Sequence, residues 1–308
     1  MDFPILLFPI RADMVDRAMF ARAEAANYDG NASVPSLQYG DDQIITAGQN
    51  GIVSTMSGGE QGISSGGKGT VDTMKDGVQN ILSGGKGTVS TMFSGQQIVL
   101  SSGEGTISSM SGGSQNISSG GSGTVDIMND GKQNISSGGV GTVSTMSAGQ
   151  QIVRSGGTGM VTTMNGGKQQ IISGTGTIST MSGGKQQIMS GTGTISTMSG
   201  GTQTVSNGGS GTVNALNSGY QNILSSGVGS ALGILGGTQQ IGSGGTGYVE
   251  HVTAKQIISG GGTGIVGTVT AGDSWNLTDG QTGIANSMNG GAQTISSGGV
   301  GTVSALQG

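Results

Sequence analysis

The sequence predicts an all-β protein: a single-chain β-solenoid (parallel β-helix) of about fifteen 18-residue coils, with a short, partly helical N-terminal segment. Three observations predict this fold. A unit such as residues 66–83 recurs almost to the end of the chain, apolar residues keep fixed places in each unit, and glycines bound the apolar runs. Self-similarity at a short, fixed period is the sequence signature of repeat proteins, whose stacked units share one continuous core.

The period is clearest at one apolar position of the unit, here called the Met column. Its successive members lie 17 to 19 residues apart, most often 18. Each coil therefore places one residue at the same point of the predicted core. The Met column comprises Met56, Met74, Met92, Met110, Met128, Met146, Met164, Met181, Met198, Leu216, Ile234, Val252, Val269, Met288 and Leu306.

Two further apolar columns lie three residues before and seven residues after the Met column. β-Branched residues in short runs bounded by glycine predict two strands per unit, Gly-Thr-Val-x-Thr-Met and Gln-x-Ile-x-Ser. The density of glycine argues against helix in the repeats and supplies residues for tight corners. The Val column contains Val53, Val71, Val89, Ile107, Val125, Val143, Val161, Ile178, Ile195 and Val213, with Ala231 and Ala285 as exceptions. The Ile column contains Ile63, Ile81, Val99, Ile117, Ile135, Val153, Ile171, Ile188, Val205, Ile223 and Ile241.

A polar column, the Gln column, lies two residues before the Ile column and so shares its strand face. Stacked amides on an inner face can donate to one neighbour and accept from the other. The column is either a polar binding track or a buried amide ladder that fixes the register of the coils, and we favour the ladder. Trp275 is expected to break it and to mark a local bulge. The column comprises Gln43, Gln61, Gln79, Gln97, Gln115, Gln133, Gln151, Gln169, Gln186, Gln203, Gln221, Gln239, Gln256, Trp275 and Gln293.

The repeats divide the chain into two predicted domains. Residues 1–42 form an N-terminal cap or assembly segment, and residues 43–308 form the β-solenoid repeat array. Within the first, residues 13–26 have apolar side chains at i, i+4 and i+8, as on one face of a helix. At the other end no capping element is visible after the last unit, although solenoids normally need one to protect open strand edges.

The two ends therefore predict an assembly interface. An apolar N-terminal run needs burial, and the last coil presents open strand edges. Head-to-tail docking of one copy on the next would cover both, and a heterologous contact of this kind builds filaments when it does not close. The predicted interface comprises Phe3, Ile5, Leu6, Leu7, Phe8, Ile10, Val303 and Leu306.

Composition excludes several classes of function. The chain has a net charge of −5, which disfavours nucleic acid as a partner because phosphate binding needs basic patches. It has no cysteine, which excludes disulfides and thiolate metal sites. No apolar run approaches the roughly 20 residues of a membrane span. We expect no metal and no other cofactor.

The acidic residues do not form a catalytic pair in the predicted solenoid. Asp72 and Asp126 share a column but lie three coils apart, or about 14 Å at the usual strand spacing, and Asp76 and Asp130 are separated in the same way. Such distances are too long for the paired carboxylates of polysaccharide cleavage. His251 is the single histidine of the chain. The sequence therefore predicts a protein that is not an enzyme, without catalytic residues.

Two segments carry a resemblance to a known family. Ser-Gly-Gly-Thr-Gln-Thr-Val-Ser (199–206) and Ser-Gly-Gly-Val-Gly-Thr-Val-Ser (297–304) resemble the repeats of self-associating autotransporter passengers, the diffuse-adherence adhesin and antigen 43-like group. The resemblance covers residues 43–308. It implies a right-handed β-solenoid displayed outside the cell that acts in adhesion and aggregation, in some members with heptoses on Ser and Thr. A signal peptide and a C-terminal translocator domain are not recognisable, which leaves the export route open.

The expected function is that of a non-enzymatic, self-associating extracellular rod or fibre at the cell surface. Its expected partners are further copies of itself, with cell-surface glycans or neighbouring cells as additional partners. Two alternatives remain. One is a carbohydrate-binding or carbohydrate-cleaving β-helix, and the other is a truncated autotransporter passenger that mediates adhesion.

Overall fold

The computed structural model describes residues 26–82, 84–252, 255–270, 274–277 and 280–307, and in these ranges all regular secondary structure is β-strand. The predicted all-β solenoid of about fifteen turns is confirmed. The predicted helix at residues 13–26 and the apolar run Phe3 to Ile10 lie, apart from Ala26, outside the described residues.

In many coils the two predicted strands are separate, a longer one followed by a shorter one, as in β6 and β7. In six coils of the described residues they merge into one strand of 14 residues: β4, β5, β8, β9, β16 and β17. In chain order they are β1 (Asn27–Tyr28), β2 (Ser33–Leu37), β3 (Asp42–Ile45), β4 (Asn50–Ile63), β5 (Lys68–Ile81), β6 (Lys86–Met92), β7 (Gln96–Val99), β8 (Glu104–Ile117), β9 (Ser122–Ile135), β10 (Val140–Met146), β11 (Gln150–Val153), β12 (Thr158–Met164), β13 (Lys168–Ile171) and β14 (Thr175–Met181). They continue with β15 (Lys185–Ile188), β16 (Thr192–Val205), β17 (Ser210–Ile223), β18 (Val228–Ile234), β19 (Thr238–Ile241), β20 (Thr246–Val252), β21 (Lys255–Ile258), β22 (Thr263–Thr270), β23 (Ser274–Leu277), β24 (Thr282–Asn289), β25 (Ala292–Ile295), β26 (Val300–Val303) and β27 (Leu306–Gln307).

Neighbouring coils pair in parallel and in the register that the repeat predicts. In β5 and β6, Val71 pairs with Val89 and Met74 with Met92, each 18 residues further along the chain. Within the described residues, β23 and β25 form a separate two-stranded sheet and the other strands form one continuous sheet. Each column of the sequence is therefore a row of side chains along the rod axis.

The chain turns a corner between the Val and Met columns. Val89 and Met92 are both fully buried, while Ser90 and Thr91 between them are half-buried. Residues three apart point to opposite faces of a straight strand. Both can face the interior because the backbone bends between them, and each coil thereby wraps around its core.

The three apolar columns and the Gln column fill the interior. Members of the Val, Met and Ile columns from Val53 to Ile241 are 0 to 1% exposed. A glycine column also faces inward, two residues before the Val column. A Cβ on Gly69 would contact the Ile63 side chain and lie 2.6 Å from Oε1 of Gln61. The bulky Ile and Gln of the preceding strand occupy the space that these glycines leave free.

The solenoid already includes residues 26–42. Val34 pairs with Val53 and Leu37 with Met56, and both Val34 and Leu37 are buried. The Asp41 carboxylate stabilises this coil, because it accepts hydrogen bonds from the backbone N–H of Ala26 (2.9 Å) and of Gln38 (2.8 Å). Residues 26–42 thus cover the first repeat, whereas the structural role of residues 1–25 stays a prediction.

Candidate functional site

The Gln column is a continuous, buried amide ladder. From Gln61 to Gln256, each Nε2 donates to Oε1 of the preceding glutamine over 2.6 to 2.8 Å. At its start, Gln43 donates to the carbonyl oxygens of Ala32 (2.9 Å) and Asp29 (3.2 Å). From Gln43 to Gln239 the side chains are 0% exposed. The predicted ladder is confirmed, and a ligand on the outer surface does not reach these amides.

The ladder breaks at Trp275, as the sequence predicts. Trp275 is 4% exposed, and its Nε1 has no hydrogen-bond partner. Oε1 of Gln256 on one side and Nε2 of Gln293 on the other are also buried without a partner. The break coincides with the change of sheet, because β23 pairs with β25 in the two-stranded sheet. The local bulge expected around Trp275 stays a prediction, because residues 271–273 and 278–279 on either side lie outside the described residues.

One half of the predicted assembly interface lies in the described part of the chain. Leu306, a member of the Met column, is 79% exposed, and Ile295, at the Ile-column position, is 47% exposed. Val303 is partly buried against the core. The other predicted interface residues, Phe3, Ile5, Leu6, Leu7, Phe8 and Ile10, are not among the described residues.

The acidic side chains serve as turn and surface groups. Asp76 accepts a hydrogen bond from the Gly77 N–H (2.8 Å), and Asp130 accepts one from the Gly131 N–H (2.7 Å). Both aspartates line an open groove of 620 Å³, together with Lys132 and with Ser, Gly and Gln residues. Each carboxylate therefore stabilises its own tight turn, and within the described residues no group of three or more His, Cys, Asp or Glu is placed to hold a metal ion.

Four cations lie on one outer face of the rod, a feature that the sequence analysis missed. Lys132 and Lys168 both pair with Gln150 in neighbouring coils, and Lys168 pairs with Lys185. Arg154 follows directly after β11 and lines a cleft of 300 Å³ on the same outer face. We call the surface that carries Lys132, Arg154, Lys168 and Lys185 the basic face. A sequence signal was present, because the three lysines all directly precede a Gln-column residue.

Comparison with known proteins gives a match among solved structures. No protein-family model and no curated protein matches the chain. A solved structure does, the TibC-catalysed hyper-glycosylated TibA55-350 fragment, which is part of the passenger of an autotransporter adhesin. The match covers 91% of this chain and 95% of that fragment, with 27% identity and a TM-score of 0.60.

This chain resembles an autotransporter adhesin passenger. The similarity extends over nearly the whole solenoid, in agreement with the family resemblance that the repeats carry. The TibA fragment belongs to an adhesin passenger rather than to an enzyme, and its fold is consistent with adhesion at a cell surface or outside the cell. In the described part of this chain, no helix is both long enough and apolar enough to cross a membrane.

Proposed function

We propose that the protein is a non-enzymatic adhesive rod at the cell surface that binds further copies of itself. The observation that carries this proposal is the match of nearly the whole solenoid to the TibA passenger fragment. The surface supports it too, because the acidic groups that could act in polysaccharide cleavage are dispersed, and Asp76 and Asp130 are engaged in their own turns.

Homotypic adhesion is tested with beads that carry the purified chain. Beads coated with the full 308-residue protein should aggregate, and beads coated with serum albumin should not. Addition of free protein in solution should disperse the aggregates by competing for the same contacts. Beads that stay dispersed over a wide range of coating densities would refute self-association as the adhesive function.

For the mode of self-association we propose head-to-tail stacking of coils. Leu306 is 79% exposed, whereas the other Met-column side chains that the structure describes are buried, so Leu306 is available to contact a further coil. Leu306, Val303 and Ile295 form one side of the contact in this proposal. The apolar residues Phe3, Ile5, Leu6, Leu7, Phe8 and Ile10 form the other side, and the geometry between copies is that of a heterologous, filament-forming contact.

The stacking mode is tested by charge substitution at the exposed leucine. Leu306→Glu should shift the sedimentation profile of concentrated protein towards the monomer and shorten filaments in negative-stain micrographs. Leu235→Glu is the matched control, because Leu235 is also exposed (66%) but lies on the side of the rod. Equal assembly of the two variants would refute stacking through the Leu306 coil, and the bead assay would still report on adhesion.

A further inference from the structure

The charges of the rod are segregated along its length. Residues 131–249 contain no Asp and no Glu, yet they contain the four cations of the basic face. The preceding part, residues 26–130, is acidic, with nine carboxylates against three lysines. Although the whole chain has a net charge of −5, residues 131–249 form a central basic segment. The nine carboxylates are Asp29, Asp41, Asp42, Glu60, Asp72, Asp76, Glu104, Asp126 and Asp130, and the lysines are Lys68, Lys75 and Lys86.

The four cations lie in four successive coils. Lys132, Lys168 and Lys185 each directly precede a fully buried glutamine of the ladder, so that strand alternation directs them outward. Arg154 follows the buried Val153 and is directed outward for the same reason. It lines the 300 Å³ cleft together with Asn134 and Ser136 of the preceding coil. At the usual strand spacing the basic face extends over about 14 Å of the rod axis.

These cations have no acidic neighbour in register. Lys168 is flanked by Gln150 in one direction and by Lys185 in the other. Like charges directly opposite each other on adjacent strands destabilise a sheet. In the acidic segment, by contrast, Lys86 forms an ion pair with Glu104 of the next coil (2.6 Å). The acidic group nearest in sequence to the basic face is Asp130, two residues before Lys132 and hydrogen-bonded to its own turn.

Amides and hydroxyls fill the space between the cations. Asn134 donates from Nδ2 to Oδ1 of Asn116 over 2.8 Å, and both line the cleft beside Arg154. In the same outward row Asn134 is followed by Ile152, which is 9% exposed, and then by Gln170 and Gln187, which are half-buried. The basic face therefore combines fixed positive charge with groups that both donate and accept hydrogen bonds.

We propose that the basic face binds a linear acidic polysaccharide that lies along the rod axis. Lys and Arg would bind its carboxylate or sulfate groups, and the amides would hydrogen-bond its hydroxyls. The inference deepens the proposed adhesive function and rests on it for the biological setting. It concerns a different surface from the stacking contact at Leu306.

A second copy of the chain fits the basic face less well. The acidic residues of residues 26–130 are spread over several faces: Glu60 lies in the outward row before the Gln column, Asp72 follows the Val column, and Asp76 lies at a turn. They do not form a stripe of four successive coils that would match the four cations.

Nucleic acid also fits less well than an acidic polysaccharide. In the four coils of the basic face the outward rows hold Lys, Arg, Gln, Asn, Ser, Ile and Met, and no aromatic side chain on which bases could stack.

The test uses the full chain and two purified probes, a heparin hexasaccharide and an alginate hexasaccharide, in isothermal titration calorimetry at several salt concentrations. The variant replaces the four cations by glutamine: Lys132→Gln, Arg154→Gln, Lys168→Gln and Lys185→Gln. The matched control replaces the three lysines of the acidic segment: Lys68→Gln, Lys75→Gln and Lys86→Gln. Circular dichroism and bead aggregation of both variants show whether the fold and the self-association persist.

We expect the unaltered chain to bind at least one probe with an affinity that falls as salt rises. The four-cation variant should lose roughly ten-fold or more in affinity and most of the salt dependence, because released counterions supply the binding free energy. The control variant should retain binding within about two-fold. The proposal would be overturned if both variants bound the probes with the same affinity as the unaltered chain. So would tighter binding of single-stranded dT20 through the same residues, or no binding of either probe at low salt while beads still aggregate.

Discussion

Gln151 donates a hydrogen bond from Nε2 to Oε1 of Gln133, one coil earlier, over 2.7 Å, and both side chains are fully buried. The same Nε2 also lies 3.2 Å from the carbonyl oxygen of Gly141 and 3.1 Å from that of Met160. A slip of one residue between coils would replace this pair by outward-facing side chains. The ladder therefore fixes the register of the rod as well as satisfying its buried polar groups.

Loss of one ladder amide should destabilise the rod measurably. Gln97 bonds to Gln79 (2.7 Å) and Gln115 (2.6 Å), and Gln97→Leu removes both bonds while the amides above and below stay buried. We expect the variant to lose about 1–3 kcal/mol of unfolding free energy, measured by urea denaturation followed by circular dichroism. Gln96→Leu is the control, since Gln96 precedes Gln97 on β7 but is exposed. Equal midpoints for the two variants would contradict a structural role of the ladder.

The inward glycine column gives a second, sterically based prediction. A Cβ on Gly69 would lie 2.6 Å from Oε1 of Gln61, whereas a Cβ on Gly62 would meet no atom within 4 Å. Gly69→Ala should therefore destabilise the protein by about 1–3 kcal/mol through overpacking. Gly62→Ala should be neutral or slightly stabilising because alanine loses less backbone entropy on folding. Thermal unfolding of the two variants measures the difference, and a midpoint for Gly69→Ala equal to that of Gly62→Ala would show that the core adapts.

Fixed spacing made most of the core predictable from sequence. The Val, Met, Ile and Gln columns were each recognisable because one residue type recurs about every 18 positions, and all four face inward. The inward glycine column recurs just as regularly. Glycine is also common at tight corners, so the period alone did not show whether these glycines form corners or lie against the Gln and Ile side chains of the preceding strand. The corner between Val89 and Met92 follows from their spacing of three once both are known to be buried.

Features without strict periodicity were harder to predict. Val34 and Leu37 form a coil before the first repeat, and their signal was a single 19-residue step from Leu37 to Met56. The basic face was not apparent from the net charge of −5, because that value sums an acidic segment and a basic segment. Its recognition needs two facts together: the position of Lys168 and Lys185 relative to the Gln column and the absence of Asp and Glu from residues 131–249.

The third prediction concerns charge in the core. Ile135 and Ile127 both belong to β9, but Ile135 is fully buried and Ile127 is 46% exposed. Ile135→Asp should cost several kcal/mol, about 3–5 or more, because an unpaired carboxylate is placed in an apolar interior. Ile127→Asp should change stability by less than about 1 kcal/mol. Hydrogen exchange across the rod would locate the damage around the coil of Ile135, and wild-type exchange in that coil would contradict its place in the core.

The last prediction concerns the break in the ladder at Trp275. Oε1 of Gln256 and Nε2 of Gln293 are buried without partners, and the residue between them in the column is Trp275. A glutamine at this position would offer a donor to the first and an acceptor to the second. Any residue smaller than tryptophan leaves a cavity at this position. The informative comparison is therefore between Trp275→Gln and Trp275→Leu, because the two side chains are similar in volume and only glutamine carries an amide.

We expect Trp275→Gln to be more stable than Trp275→Leu by about 1–3 kcal/mol, the contribution of two restored amide bonds. Urea denaturation compares the two variants, and an increase in amide protection at Gln293 in hydrogen exchange would identify the repaired segment. At an exposed position in the same coil, such as Asn276, the same pair of residues should give equal stability. If Trp275→Leu equals or exceeds Trp275→Gln, the packing of apolar side chains rather than amide pairing governs this part of the rod.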